Sequence, residues 1–383
     1  MTKIRAGIIG TGKAARAHIE ALRRLGFVEI AGICGSNRAH TEQQARQLFI
    51  ERVYCDYRNL LSDPDIDVVH VCTTNDRHYE VNKDALLAGK HVVSEKPLAV
   101  TPKQARELAI IAKEKGLCTA VMFNYRMYAM VQEARRLVAG KTLGRINLVR
   151  GGYLQDWLLT ATDFDWRLQT EQGGPSGVLA DIASHWCDLV EYISGDNIVA
   201  VLADTAVIHR RRRDAQGQWH KVNAPEYASV LLQFASGARG VFTVSQVSPG
   251  HKNNLFLTID GSLASLTWRQ EDPEKVCLGR REEGYQYIVK DAGRPGTVKE
   301  LCHYPPGHIE GWPDGVKNLL LKFYSYLREK GAAQLLSLQP HWPDAPAWPT
   351  FADGYRSVRL VEAMLTSASS GNVWVRIDDN WEV

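Results

Sequence analysis

Apolar positions run along this chain in two rhythms. Lys3–Ile9 is an apolar run ending at a glycine, and in Lys13–Leu25 the positions Ala14, Ala17, Ala21, Leu22 and Leu25 recur at helical spacing. Val28–Cys34 is a second apolar run, followed by a polar helical pattern through Leu48. Asp67–Cys72 is a third, with a helix over Arg77–Ala88 that Gly89 stops. His91–Ser94 is short and β-branched, Thr101-Pro102 opens a helix with proline in its first turn, and Leu117–Phe123 closes the series. Strands alternating with helices of this length predict an α/β architecture, a parallel sheet covered on both faces.

The rest of the chain reads differently. Ile146–Leu154, Ile198–Ile208, Tyr227–Phe234, Ala238–Val247, Asn254–Ile259 and Leu263–Trp268 are strand-like, and Ser236-Gly237 and Asp260-Gly261 are turn signals between them. They predict a large, mostly antiparallel sheet in an α+β domain, interrupted by helices over Val178–Ile193 and Gly315–Glu329. Residues 331–350, with Pro340, Trp342, Pro343, Pro346, Trp348 and Pro349, form a connecting loop. A helix over Gly354–Ser367 and a short strand near Val373–Ile377 follow. The change of rhythm divides the chain into domains 1–123 and 124–383.

Composition narrows the classes. The chain has 383 residues, 45% of them hydrophobic and 23% charged, enough for two cores of ordinary globular character. A net charge of +3, from 46 basic and 43 acidic residues, gives no reason to expect nucleic acid or an anionic membrane as partner. The basic run Arg210–Arg213 precedes a turn-like Asp214-Ala215-Gln216-Gly217 and reads as a solvated hairpin end. The seven cysteines are scattered and odd in number, which fits reduced core thiols. With no leader-like or membrane-length apolar segment, a cytoplasmic location is expected.

Three clusters carry chemistry. Gly10-Thr11-Gly12-Lys13-Ala14-Ala15 lies between the first strand and the first helix. Gly10 permits a tight turn, Gly12 lets a pyrophosphate approach the backbone, and the helix start offers oriented N–H groups to the anion. At the end of the second strand, Cys34-Gly35-Ser36-Asn37-Arg38 has no carboxylate to select NAD by its ribose hydroxyl. Ser36 and Arg38 could hold a 2′-phosphate, which puts NADP ahead of NAD, although Arg38 could equally be an exposed helix residue. Glu95-Lys96-Pro97 ends the strand that begins at His91, where ligands bind in parallel sheets. Lys96 there can polarise an oxygen and take part in proton transfer; the alternative is a surface ion pair between neighbours. In Asp181–Asp188, preceded by a glycine-rich stretch over 173–177, Asp181 and His185 are one helical turn apart. The carboxylate would orient the imidazole and raise its basicity. Asp188, on nearly the same face, could orient His185 or cap a packing contact, and no ligand spacing supports a metal.

Together these motifs resemble the glucose–fructose oxidoreductase, inositol dehydrogenase and rhizopine-catabolism family, Gfo/Idh/MocA. The resemblance covers essentially the whole chain. It runs through Gly7–Gly12, Thr73-Thr74-Asn75 with His78, Ala88–Leu98, Asn124-Tyr125-Arg126, Leu143–Ile146, Trp166-Arg167 and Asp181–Asp188. It implies an N-terminal Rossmann doubly wound sheet and a C-terminal α+β domain whose large open sheet mediates oligomer contacts, in a homodimer or homotetramer. By the same resemblance Lys96 is the catalytic lysine, Asp181 and His185 the acid–base pair, and Asn75, His78, Glu95 and Asn124 line the nicotinamide pocket. Thr73 joins the cofactor-binding residues. Arg126, Trp157, Trp166, Arg167 and Asp353 are candidates for substrate contact. Ala183 departs from the glycine that many members carry. Tyr153–Trp157, Ser184-His185-Trp186 and Gly307–Trp312 look similar to members acting on anhydrosugars.

The expected activity is hydride transfer between NAD(P) and a hydroxyl-bearing carbon of a sugar, anhydrosugar or cyclic polyol. The substrate hydroxyl would meet both Lys96 and His185, and His185 would accept its proton directly or through Lys96. Two other classes share the scaffold: a dinucleotide-binding regulator without catalysis, and a different chemistry such as dihydrodiol oxidation or redox-neutral turnover on a retained cofactor.

Overall fold

The computed structural model describes residues 3–293, 297–330 and 346–377. Pro340, Trp342 and Pro343 of the expected connecting loop lie outside these. The chain forms two compact units, Met1–Asn124 with Trp312–Val358, and Tyr125–Gly311 with Arg359–Glu382. The helix Trp312–Lys330 belongs to the first unit.

The first unit is built on six strands: β1 (Ile4–Ile9), β2 (Val28–Cys34), β3 (Arg52–Tyr54), β4 (Val68–Val71), β5 (His91–Ser94) and β6 (Thr119–Val121). Their order is β3-β2-β1-β4-β5-β6, all parallel, which is the doubly wound Rossmann arrangement. β4 and β5 are buried at every position, because helices cover both faces, so they read as unbroken apolar runs. The helix Pro102–Glu114 starts as its sequence dictates, with a Thr101/Gln104 capping box and proline in the first turn. The strand order reverses between β1 and β4, the place where such sheets open a crevice for ligands.

The second unit has a nine-stranded sheet. Its strands are β7 (Ile146–Leu154), β8 (Ile198–Ala206), β11 (Tyr227–Phe234), β12 (Arg239–Ser245), β13 (Asn254–Gly261), β14 (Ser265–Arg269), β15 (Asp272–Arg280), β16 (Gly284–Val289) and β17 (Val375–Arg376). The order is β16-β15-β14-β13-β7-β12-β11-β8-β17, antiparallel except for β7 beside β12. The sequence reading missed β15 and β16; in β16 Tyr285, Tyr287 and Val289 are exposed, which blurs the alternation. A separate two-stranded hairpin, β9 (Arg211–Arg213) with β10 (Trp219–Lys221), carries the arginine run. The expectation of a solvated hairpin end needs correction here: Arg212 is fully buried.

One sheet face packs under the helices Ala129–Ala139 and Ser184–Ser194. Trp186 stacks on Phe242 at 4.4 Å and its indole N–H donates to the carbonyl of Phe256 at 3.0 Å. Gly151 makes the space: a Cβ there would lie 2.2 Å from that carbonyl and 2.8 Å from the indole nitrogen. Among the described residues no helix is long and apolar enough to cross a membrane.

Candidate active site

Strands β1, β4 and β5 deliver the first group of residues at their C-terminal ends. Gly10 has φ +121°, and a Cβ there would sit 2.3 Å from the carbonyl oxygen of Cys72. Only glycine fits the turn between β1 and the helix Lys13–Leu25. Its N–H donates to the Cys34 carbonyl at 2.8 Å, tying the ends of β1 and β2 together. Gly12 caps the helix and faces open space. That helix start, with Lys13 and Ala14, has no side-chain cap and no acidic residue in its first turn. Its N–H groups and dipole are therefore available to an anion, which fits a dinucleotide pyrophosphate.

Ser36, Asn37 and Arg38 lie exposed just after β2. Asn37 caps the next helix by accepting from the His40 N–H at 3.0 Å. Arg38 is largely in solvent and pairs with Glu42 at 2.9 Å, a carboxylate that the sequence reading did not weigh.

Thr73 and Asn75 follow β4, and Glu95-Lys96-Pro97 follow β5. Buried His78 joins the two turns, with Nδ1 2.7 Å from the Pro97 carbonyl and Nε2 3.1 Å from that of Thr73. Burial pushes this imidazole down, so it is neutral and has a single N–H for the two carbonyls. Glu95 is held from both sides. Its Oε1 meets His18 Nε2 at 3.1 Å and its Oε2 accepts from the Lys96 backbone N–H at 3.2 Å.

His18 belongs to a buried chain that sequence reasoning missed. Its Nδ1 is 2.8 Å from Nδ1 of His70, and His70 Nε2 is 2.7 Å from the Tyr324 hydroxyl. Burial works against charge on His18, but the Cys72 sulfur and the Glu95 carboxylate carry it up to about 10. Burial would likewise raise Glu95, but the His18 bond, with the charges of His18, Lys96 and His78, brings it to about 2. His70 is pushed down by burial and by its cationic neighbour. The protons follow: imidazolium His18 donates to Glu95 and to His70, and neutral His70 donates through Nε2 to Tyr324. The signal for His18 was its place on the apolar stripe of its helix, among Ala15, Ile19 and Leu22. Asn124, after β6, is also buried, and its side-chain N–H₂ finds no acceptor among the described residues, leaving a donor for a ligand.

The second unit holds the other cluster. Asp181 lies in a π-helical turn, Leu179–Ala183, that leads into the helix Ser184–Ser194. The wider turn alters the one-turn offset expected between Asp181 and His185. Asp181 accepts from the Gln246 amide at 2.7 Å and lies 3.6 Å from Arg167 Nε. His185 is nearly buried and meets the Tyr125 ring edge-on at 5.0 Å. Tyr125, Tyr153 and Asn253 form a closed ring. The Tyr153 hydroxyl donates to Asn253 Oδ1 at 2.5 Å, Asn253 Nδ2 donates to the Tyr125 hydroxyl at 3.1 Å, and Tyr125 donates to Tyr153 at 2.7 Å. Burial pushes both phenols up, so both keep the protons this ring needs. Gln155, just past the end of β7, donates to Asn253 and accepts from the Trp157 indole in the following turn, extending the polar surface. Arg167 stacks on Trp166.

Arg126, Asp188 and Asp353 make polar contacts of their own. Arg126 grips Asp188 through two bonds of 2.9 and 2.5 Å and stacks on Tyr192. Asp188 is therefore engaged by a guanidinium rather than aligned with His185. Asp353, a residue of the first unit, accepts from the N–H and hydroxyl of Thr350 at the start of the helix Phe351–Ser369. Sequence reasoning gave no signal for Asn253 or Gln246, since each amide lies just outside a strand, Gln246 after β12 and Asn253 before β13, where no spacing rule applies.

Residues 4–123 match a family described as "Oxidoreductase family, NAD-binding Rossmann fold", and residues 131–267 match "GFO/IDH/MocA C-terminal domain". The chain is 27% identical to levoglucosan dehydrogenase of Pseudarthrobacter phenanthrenivorans, over 98% of this chain and 99% of that one. It is 32% identical to D-glucoside 3-dehydrogenase of Escherichia coli, over 96% of each. The solved structure of a levoglucosan dehydrogenase in complex with NADH and levoglucosan superposes with a TM-score of 0.89 at 26% identity, covering 98% of this chain and 99% of the other.

Proposed function

Since the chain belongs to the Gfo/Idh/MocA family of NAD-binding oxidoreductases, we propose that it is an NAD(P)-dependent dehydrogenase acting on a hydroxyl-bearing carbon of a sugar, anhydrosugar or cyclic polyol. The observation that carries the reading is that its acid–base groups are built in rather than eroded. Lys96 follows a carboxylate fixed by His18, and Asp181 is held by Gln246 and Arg167. A regulator that had lost its chemistry would have no use for such support. The similarity to dehydrogenases of levoglucosan and of D-glucosides favours a pyranose ring over an open chain.

A nicotinamide dinucleotide held at the turn around Gly10 and Gly12 would supply the hydride chemistry. The chain's own residues handle the proton and the oxygen. Lys96 stabilises negative charge developing on that oxygen, and His185 accepts the hydroxyl proton. Asp181, positioned by Gln246 and Arg167, is the carboxylate member of that acid–base pair. For the dinucleotide we favour the 2′-phosphorylated form, because residues 34–38 carry no carboxylate and Arg38 can exchange Glu42 for a phosphate. The exposed cross-strand pair Leu231 and Val241 on the nine-stranded sheet supports a homo-oligomer built on that face.

The test is formation of reduced nicotinamide with both dinucleotides against anhydrosugars, glucosides and cyclic polyols. Turnover is expected with a cyclic carbohydrate, and Lys96→Ala should lower it by about 10²–10⁴ while dinucleotide binding persists. Normal turnover in Lys96→Ala, or no turnover with any of these, would overturn the reading.

A further inference from the structure

A buried polar cluster outside the described site lies in the second unit, around an arginine the sequence pattern assigned to solvent. Arg212 and Glu226 are both fully buried and paired through Nε at 2.7 Å and through Nη2. Nη2 also donates to the Leu158 carbonyl at 2.7 Å, and Nη1 donates to those of Thr160 at 2.5 Å and Asp163 at 2.8 Å. All five N–H donors of the guanidinium are thereby used. The other oxygen of Glu226 accepts from the backbone N–H groups of Ile208 and His209 at 2.7 and 3.1 Å. The same short stretch binds two more carbonyls of that loop: His209 Nε2 is 3.0 Å from Leu159, and the Arg213 N–H is 2.8 Å from Ala161.

Five carbonyls between Leu158 and Asp163 therefore turn toward one short stretch, Ile208–Arg213. A loop that gathers so many acceptors inward cannot hold that path without donors to match, since unpaired buried carbonyls are costly. The loop joins Gln155 and Trp157 at one end to Trp166 and Arg167 at the other, and Arg167 lies 3.6 Å from Asp181. We propose that Arg212 and Glu226 are positioning residues for the reaction. They fix the path of Leu158–Asp163, and with it the placement of Trp157 and Arg167 that decides which sugar is accepted. This proposal rests on the dehydrogenase reading, and Arg212 itself touches no reacting atom.

Arg212→Lys tests it, because lysine keeps the charge but offers three donors where five are used. The expected result is a KM for the best sugar raised about tenfold, since bonds to a charged group are lost. Discrimination between epimeric sugars should fall, kcat should change less than KM, and the affinity for NADH should stay unchanged. Amide hydrogen exchange should speed up across 155–167 and not in β1 or β4. His209→Ala, which removes one carbonyl contact and leaves the ion pair whole, should reproduce a weaker form of the same pattern and guards against a lysine variant that fails to fold. Unaltered KM, epimer ratio and exchange in both variants would overturn the proposal. If the unmodified protein oxidises no sugar, the dehydrogenase reading fails. The exchange data then decide alone whether the clamp exists, and uniform exchange across the second unit would refute it.

Discussion

Replacing His18 with leucine isolates the buried network behind Lys96. Leucine fills a similar volume, so the change removes charge and hydrogen bonds without opening a large cavity. It leaves the Glu95 carboxylate without its 3.1 Å partner and His70 Nδ1 without its 2.8 Å donor. Removing one member of a buried ion pair costs about 3–5 kcal/mol. About a fifth of the Glu95 side chain remains in solvent (21%), so the lower end, about 3 kcal/mol, is expected. The pH dependence gives the sign. His18 titrates near 10 in the folded chain against an ordinary 6.5, so its contribution is complete below pH 6.5 and is lost as pH rises through 10. Glu95 sits near 2 against 4.5, so its contribution is complete above pH 4.5 and is lost as pH falls through 2. The penalty of His18→Leu should therefore be largest between pH 4.5 and 6.5 and shrink steadily above that. Amide exchange of β4 and β5 is the suitable assay, because it reports the first unit alone in a chain of two units. A loss under about 1 kcal/mol in that window, or one that does not diminish on the alkaline side, would refute the ion-pair argument.

Three further outcomes follow from single contacts. Gly10→Ala forces a Cβ to 2.3 Å from the Cys72 carbonyl at φ +121°, so dinucleotide binding followed by NADH fluorescence should be lost. Its backbone strain alone costs about 1–3 kcal/mol. Arg126→Met leaves Asp188 buried without its two guanidinium bonds, and a loss of about 3–5 kcal/mol in the second unit should appear in thermal unfolding. Tyr153→Phe opens the Tyr125–Asn253 ring and should cost about 1 kcal/mol of stability while lowering kcat/KM, because the Tyr125 ring against His185 loses its anchor; unchanged kinetics would show that the ring is only structural.

The first unit was legible because its rules are local. A buried parallel strand must be apolar throughout, a turn with φ +121° beside a carbonyl must be glycine, and a helix wants Thr and Pro at its start. β15 and β16 escaped for the opposite reason. β16 is the edge strand of the nine-stranded sheet and leaves Tyr285, Tyr287 and Val289 exposed, while β15 beside it buries Val276 and Leu278 among charged neighbours that break the apolar run. The helix Ala129–Ala139 was also passed over, since its apolar stripe carries Gln132 and Glu133, polar by type yet buried.

The candidate site divides along the same line. Gly10, Lys96, Asp181 and His185 could be named because each sits at a fixed place in a motif. What holds them could not, because His18 reaches Glu95 across 77 residues, and Gln246 reaches Asp181 across 65. Those separations are set by the order of strands in a sheet, and no window along the chain contains both partners. The arginine run shows the cost of reading charge without topology. Four consecutive arginines have the composition of a solvated patch, yet strand alternation turns Arg212 inward while Arg211 and Arg213 stay exposed. A period-two reading of the run would have singled out Arg212, and the acid it needs was already present as Glu226, directly before β11. Charge runs inside a strand-forming region therefore have to be read one residue at a time, with alternate positions assigned to opposite faces before any is called solvated.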